Sequence, residues 1–551
     1  MSAQAPTPSI YGAWDAPFDT PVLMVHAVLL PIGPGQVLFW NTNYNWDPNT
    51  DRSAHPYLWN FTAPIPNSFT PYSLDPPGQD PPNNLFCVGH ALLPSGRALV
   101  TGGHWGYFDP NSAWHNIGAG KGLAYTNIFD SFAANGPGWW TGFLPSMSYR
   151  RWYPTITPMG EGSMVVQSGT DENGDYIQIP ERWEPNGSGG GTWTALTGVG
   201  NYNGIAYYPW AYQDPRLGHE KQVFVAGPSM YADDLDVVHQ NPNDPNYPNN
   251  GPGYWLQTGP SRDSYPSPYP YIREYGSSVM YGPGQILVAG GCAPGLDDAG
   301  APTNSAEIID VYANPPAWQQ TGFMQNGRKH MNATMLPDGR VLVTGGTRGT
   351  CSQEADESYA VRDTEIWDPT TGQWTYAGTM QNARLYHSVA LLLPDARVLV
   401  AGGGEGGSCI SQDFPVHRNA EIYFPSYLFQ GGTRPIITGV TAPSYSSDGD
   451  PEVGYDDQLS FTVNINATDI TQVSLVRLPA VTHAFNQNQW FYRPPIVAQN
   501  GNQVTIQTTG RWEELPPGHY MMFALDYRGV PASSWIIRVR DPNSWWHSFP
   551  N

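Results

Sequence analysis

Cys87, Tyr153, Tyr275, His330 and Tyr386 stand at one recurring position of a repeated pattern, and His387 follows the last of them. Brought together, they would offer a thiol, three phenols and two imidazoles at one place. Phenol and imidazole make a hard-to-borderline oxygen–nitrogen donor set. Copper(II) suits such a set, preferring tetragonal N,O geometry and binding more tightly than its first-row neighbours. Tyr386 and His387 pose a local problem, because adjacent residues on a regular strand point to opposite faces. Both reach one metal only if the backbone bends at the strand's start.

The elements that must position these residues follow from the repeat itself. Tyr386-His387-Ser388 leads through Leu393-Pro394-Asp395 to Val398-Leu399-Val400-Ala401-Gly402-Gly403. The same order runs from His330 to Gly345-Gly346, from Tyr275 to Gly290-Gly291, from Tyr153 to Ser168-Gly169 and from Cys87 to Gly102-Gly103. Degenerate copies start near Val25 and Tyr207. A period of roughly 50–65 residues, with a diglycine and later tryptophans such as Trp374 and Trp318, resembles kelch blades. The first strand of each blade lines a propeller's axis, so equivalent positions converge at one mouth of the channel. Seven starts predict a seven-bladed kelch-type β-propeller over 21–432, after an N-terminal extension of residues 1–20. Beyond the Gly431-Gly432-Thr433-Arg434-Pro435 joint the repeat stops. Alternation in Leu459–Val463 and Val504–Gln507 predicts an immunoglobulin-like β-sandwich over 433–551. The fold class is all-β.

Composition agrees with this class. Sixty Gly and 55 Pro in 551 residues supply many tight turns between short strands. A net charge of −22, with lysine only at 121, 221 and 329, argues against nucleic acid and anionic membrane as partners. It mildly favours neutral substrates, and a monomer is expected. No run approaches the roughly 18 apolar residues of a membrane span. Met1–Pro8 lacks a basic and an apolar region, so no signal peptide is read here, and an extracytoplasmic location would require a removed leader. Cys292, Cys351 and Cys409 each follow a repeat's closing glycines, and Cys351 with Cys409 is the favoured disulfide pair. An arginine stands two residues before four ring positions, as Arg151, Arg273, Arg328 and Arg384. The plain reading of these is that they anchor loops or neighbouring blades.

Phe86-Cys87, Arg151-Trp152-Tyr153-Pro154-Thr155, Ala383-Arg384-Leu385-Tyr386-His387-Ser388 and Val481-Thr482-His483 resemble the motifs of the radical-copper oxidases, the family of galactose oxidase and glyoxal oxidase. The Arg-Trp-Tyr-Pro-Thr segment is closer to the glyoxal-oxidase branch. The resemblance implies one copper per chain, held by Tyr153, Tyr386, His387 and His483, with His483 brought into the channel by a hairpin of the C-terminal domain. It implies a thioether between Cys87 and Tyr153 that holds a radical, and Tyr386 as the base that takes the substrate proton. The implied reaction oxidises small aldehydes, or primary alcohols or galactose-type sugars, and reduces dioxygen to hydrogen peroxide. A non-catalytic kelch binding platform is the reading from another class. The sequence departs from the galactose-oxidase pattern at Gly169–Gly174, where no tryptophan is available to stack on the radical. Trp105, Trp152, Trp210 and Trp490 are the alternatives. Tyr275 and His330 are candidates for substrate contacts or for support of the metal ligands, with plain channel packing as the alternative.

Overall fold

The computed structural model describes residues 7–41, 56–64, 68–72, 84–105, 107–108, 116–117, 120–133, 136–139, 144–186, 190–200, 206–229, 232–240, 243, 251–256, 272–292, 302–350, 353–354, 356–404 and 415–540. Cys351 and Cys409, and with them the expected disulfide, lie outside the described residues.

Among the described residues, seven antiparallel sheets of four or more strands follow one another along the chain to Phe424, beside a two-stranded pairing of Tyr107–Phe108 with Asn116–Ile117. Their innermost strands are His26–Leu30, Gly89–Leu92, Thr155–Pro158, Trp210–Gln213, Ser277–Gly282, Asn332–Met335 and Ser388–Leu392. Inner strands such as Val341–Thr344 and Val398–Gly402 are buried at every residue. Each blade is covered on both faces by its neighbours, so these strands read as continuous apolar runs rather than as alternation. Ala13–Trp14 and Phe18–Asp19 both pair with Asn419–Phe424. Residues 13–19, read from the sequence as part of an extension outside the propeller, thus complete the last blade and tie the chain's start to its final repeat.

The diglycine marks where blades touch. The N–H of Gly346 donates to the Arg384 carbonyl of the next blade at 2.7 Å, and Gly291 and Gly103 do the same to Arg328 and Arg151 at 2.9 and 3.1 Å. A Cβ on Gly345 would lie 2.5 Å from the Arg384 carbonyl oxygen, and φ there is +67°. Only glycine meets both demands.

The arginines before the ring complete this joint. The Arg384 guanidinium is fully buried, 3.0 Å from Glu421, and donates to the carbonyls of Gly402 and Asn419. Glu421 in turn accepts from the N–H groups of Gln381 and Asn382 at 2.8 and 2.9 Å. Arg151–Glu181, Arg273–Glu307 and Arg328–Glu365 repeat the pair at 3.1, 3.2 and 2.5 Å. Each of these buried charges has its counter-charge close by, which fits a structural role.

After residue 433 two sheets stack face to face. One is formed by Ile437–Thr441, Gln458–Val463, Gln503–Gln507 and Ile496–Asn500; the other includes Ile470–Arg477, Gly518–Asp526 and Trp535–Val539. Leu459, Phe461 and Val463 are buried, and the residues between them are not, which is the alternation of a sandwich strand. One hairpin leaves this unit. Its strand Ala480–Thr482 pairs with His26–Val28 of the first blade, so the propeller's sheet continues into the C-terminal segment. Inside the channel, Gln487 Oε1 accepts from the N–H groups of His90 and Ile156 at 3.2 and 2.9 Å. Asn488 accepts from Leu92, and Ser277 donates to the Ala484 carbonyl. The inner strands' open edge groups are satisfied by this inserted loop.

Candidate metal centre

Left-handed backbone recurs at the channel mouth. Cys87, Tyr153, Tyr208, Tyr275, His330 and His387 all have φ between +44° and +65°, a region costly for residues other than glycine. Backbone hydrogen bonds link successive members: Tyr153 N–H to Cys87 O at 3.0 Å, Tyr208 to Tyr153 at 3.1 Å and His330 to Tyr275 at 2.7 Å. The bend turns each side chain toward the axis just before its strand begins.

This ring differs from the expected one in two places. Tyr208, not Tyr207, holds the position in its blade. In the last blade it is His387, not Tyr386. Val389 pairs with Ala401 ahead of Gly402 as Asn332 pairs with Thr344 ahead of Gly345, and the ring residue lies two positions earlier in each case. One extra residue therefore stands between Arg384 and the ring. That residue is Tyr386, and the insertion is how the last blade presents two adjacent side chains to one point.

The four residues expected at the metal converge, and Cys87, the expected partner of Tyr153, lies with them. The Sγ of Cys87 and ring nitrogens of His387 and His483 lie within 4.8 Å of one another. The phenol oxygens of Tyr153 and Tyr386 are in hydrogen-bond contact. The Tyr153 ring lies 4.6 Å from that of His483, and Tyr386 lies 3.9 Å from His387. Tyr153, Tyr386, His387 and Cys87 are 0–4% exposed and His483 8%. Burial, then the neighbouring Cys87 and phenols, pushes Tyr153 well above the ordinary tyrosine range; burial, then Tyr275 and Cys87, does so for Tyr386. A cation at this point would favour the phenolates that burial disfavours.

His483 is held in one tautomer. The Thr482 hydroxyl donates to the Val25 carbonyl at 3.0 Å. It therefore accepts from Nδ1–H of His483, 2.6 Å away, and Nε2 keeps its lone pair facing Cys87 Sγ at 4.0 Å. Two imidazoles and two phenols around one point fit copper(II) by donor type. A second group, Asp214, His219 and Asp234, has metal-ligand spacing. Arg216 already lies 2.5 and 2.6 Å from the two carboxylates and offsets part of their charge.

Trp152 lies flat on Tyr153, with centroids 3.7 Å apart and planes 10° apart. The sequence left four tryptophans open for this place. Sequence neighbours can stack only because Tyr153 is bent to positive φ, the same bend that Tyr386-His387 required. Trp105 is 48% exposed, and Trp490 donates to the Glu514 carbonyl within the C-terminal unit. Tyr207 packs edge-on to both Trp152 and Tyr153 and extends this wall. On the other side Tyr275 and His330 flank Tyr386 at 5.9 and 4.7 Å. His330 is 3.1 Å from the buried Glu354, and burial lowers its pKa to about 4.

Comparisons with known proteins agree with this architecture. The family model "Glyoxal oxidase N-terminus" matches residues 273–427, and "Galactose oxidase-like, Early set domain" matches 434–539. A galactose oxidase of Gibberella zeae is 27% identical over 583 residues, covering 98% of this chain and 72% of that protein. An aldehyde oxidase GLOX of Vitis pseudoreticulata is 27% identical, covering 71% of this chain and 72% of that protein. A fungal alcohol oxidase solved in complex with copper shares the fold, with TM-score 0.74 and 22% identity over 96% of this chain and 99% of the other. By its two matched domains, its likeness along nearly the whole chain and its fold, the chain is similar to galactose oxidase and glyoxal oxidase.

Proposed function

We propose that the protein is a copper-radical oxidase that oxidises small aldehydes, as their hydrates, with dioxygen reduced to hydrogen peroxide. The observation that carries this is the meeting of Tyr153 and Tyr386 through their phenol oxygens, beside the imidazoles of His387 and His483 and the thiol of Cys87. Tyr153, Tyr386, His387 and His483 would hold one copper, which supplies one-electron redox chemistry and Lewis acidity when bound. Tyr153, joined to Cys87 by a thioether, holds the second electron's worth of oxidising capacity, since a sulfur-substituted phenol is more easily oxidised than a plain one. Trp152 covers its face and keeps water from it. Tyr386 Oη receives the proton of the substrate hydroxyl. His330, Tyr275 and Tyr207 line the approach and orient the substrate's C–H toward Tyr153.

Oxidation of primary alcohols, including galactose-type sugars, is the second reading. It is favoured by the match to galactose oxidase along 98% of this chain, where the aldehyde oxidase relative covers 71%. Peroxide release from methylglyoxal, glycolaldehyde and galactose by copper-loaded protein separates the two. Tyr386→Phe keeps the ring and removes the proton acceptor. Loss of a general base lowers turnover by about 10²–10⁴-fold, so a variant with wild-type turnover would show that Tyr386 is not the base.

A further inference from the structure

Cys87 is held differently from its partners in the ring. Tyr153, Tyr208 and His330 each donate their N–H to the carbonyl of the preceding ring residue. The blade before Cys87 is the first, whose inner strand His26–Leu30 pairs with Ala480–Thr482 of the inserted hairpin. There a side chain takes over the acceptor's place: the N–H of Cys87 donates to Nε2 of His26 at 3.0 Å. His26 is fully buried and stacks on Trp40, with centroids 5.1 Å apart and planes 8° apart. Trp40 reaches the same segment two residues earlier, donating Nε1–H to the Leu85 carbonyl at 2.8 Å. The stacked pair thus grips Leu85–Cys87 at both ends.

We propose that His26 is a positioning residue for formation of the Cys87–Tyr153 thioether, acting as the neutral Nε2 acceptor that fixes Cys87 in its left-handed conformation. Cys87 has φ +60°, a conformation that an unpartnered cysteine leaves readily. Losing the acceptor frees its backbone to rotate and swings Sγ away from the Tyr153 ring. A buried N–H left without an acceptor adds to the same effect. Acceptance through Nε2 requires the proton on Nδ1 and no charge on the ring, and full burial keeps His26 neutral. In the reaction it serves, the Cys87 S–H bond and one Tyr153 ring C–H bond break and a C–S bond forms. The two electrons and two protons pass to dioxygen, which leaves as hydrogen peroxide.

The inference rests on the proposed Cys87–Tyr153 link, and the test keeps the two apart. Full-length protein is prepared without copper, then given copper and oxygen, and intact mass is followed for the loss of two hydrogens. Copper content and thermal midpoint are measured alongside. His26→Leu should bind copper yet cross-link about tenfold more slowly or worse. His26→Gln, which restores an acceptor oxygen, should recover most of the rate. A His26→Leu rate equal to wild type would overturn the proposal, and so would a Gln variant as slow as Leu. If His26→Leu does not fold, His26→Phe decides, because it keeps an aromatic ring against Trp40 and removes the acceptor; a wild-type rate there is equally fatal. Wild-type protein that never loses the two hydrogens would overturn the link itself, and this inference with it.

Discussion

In the proposed reaction Tyr153 is the residue on which the chemistry turns, and its environment is built by sequence neighbours as much as by distant strands. Trp152 covers one face, and His483 and Tyr208 crowd the ring at 4.6 and 4.8 Å. An aromatic stack contributes about 0.5–1.5 kcal/mol beyond its burial. Trp152→Ala is therefore expected to shorten the life of a Tyr153-centred radical by roughly several-fold, through lost stacking and admitted water. Copper content should be unchanged, since no ligand is touched. Decay of the radical's electron paramagnetic resonance signal measures this, and an unaltered lifetime would remove Trp152 from the shielding role. At this scale much was legible: the side chains of Cys87, Tyr153, Tyr386, His387 and His483, singled out by their motifs, meet at one point. Trp152 was one of four choices, and His26 gave no signal, because its importance comes from a strand pairing 456 residues apart in sequence (His26 with Thr482).

The blade joint is the element that sets the ring's precision. Four buried Arg–Glu pairs each tie the segment before a ring residue to its own blade's third strand and its glycine turn. Removing one member of such a pair strands a buried charge, at a cost of about 3–5 kcal/mol. Arg384→Met should accordingly lower the urea midpoint sharply and loosen the Tyr386-His387 bend. Arg397→Met, which breaks a partly exposed pair with Asp395, should cost about 1 kcal/mol or less. Equal losses in the two variants would refute the assignment of the buried pairs as the stabilising joint. The spacing of the arginines was plain in the sequence, but spacing relative to arginine misplaced the ring in the last blade. Counting back from the diglycine, which is fixed by contact with the next blade, gives His387.

For the whole molecule, an inserted hairpin and the inner strands bury polar side chains together in the channel, and one buried histidine there ties stability to pH. His90 is fully buried on the inner strand of the second blade, and burial lowers its pKa to about 3. The unfolded chain binds its proton near the ordinary 6.5. Between these values the unfolded state holds more protons, so stability falls as pH falls below about 6.5. By pH 5 the loss from His90 alone is about 2 kcal/mol. His90→Leu should flatten the decline of the thermal midpoint between pH 7 and pH 5. An unchanged slope would mean that other groups govern it.

The sequence alone determined the repeat, the all-β class and the change of pattern near residue 433, and it named the candidate reactive side chains that the fold brings together. These follow from local rules: glycine where backbones touch, apolar runs where both faces are covered, alternation where one is. The tertiary structure decided what depends on register and on distant contacts. It moved the ring position from Tyr386 to His387, laid Trp152 on Tyr153, used residues 13–19 to finish the last blade, and joined Ala480–Thr482 to His26–Val28. Each of these is a pairing between segments whose own propensities are silent about the partner. A one-residue insertion or a remote strand becomes visible only when hydrogen bonds fix which groups meet.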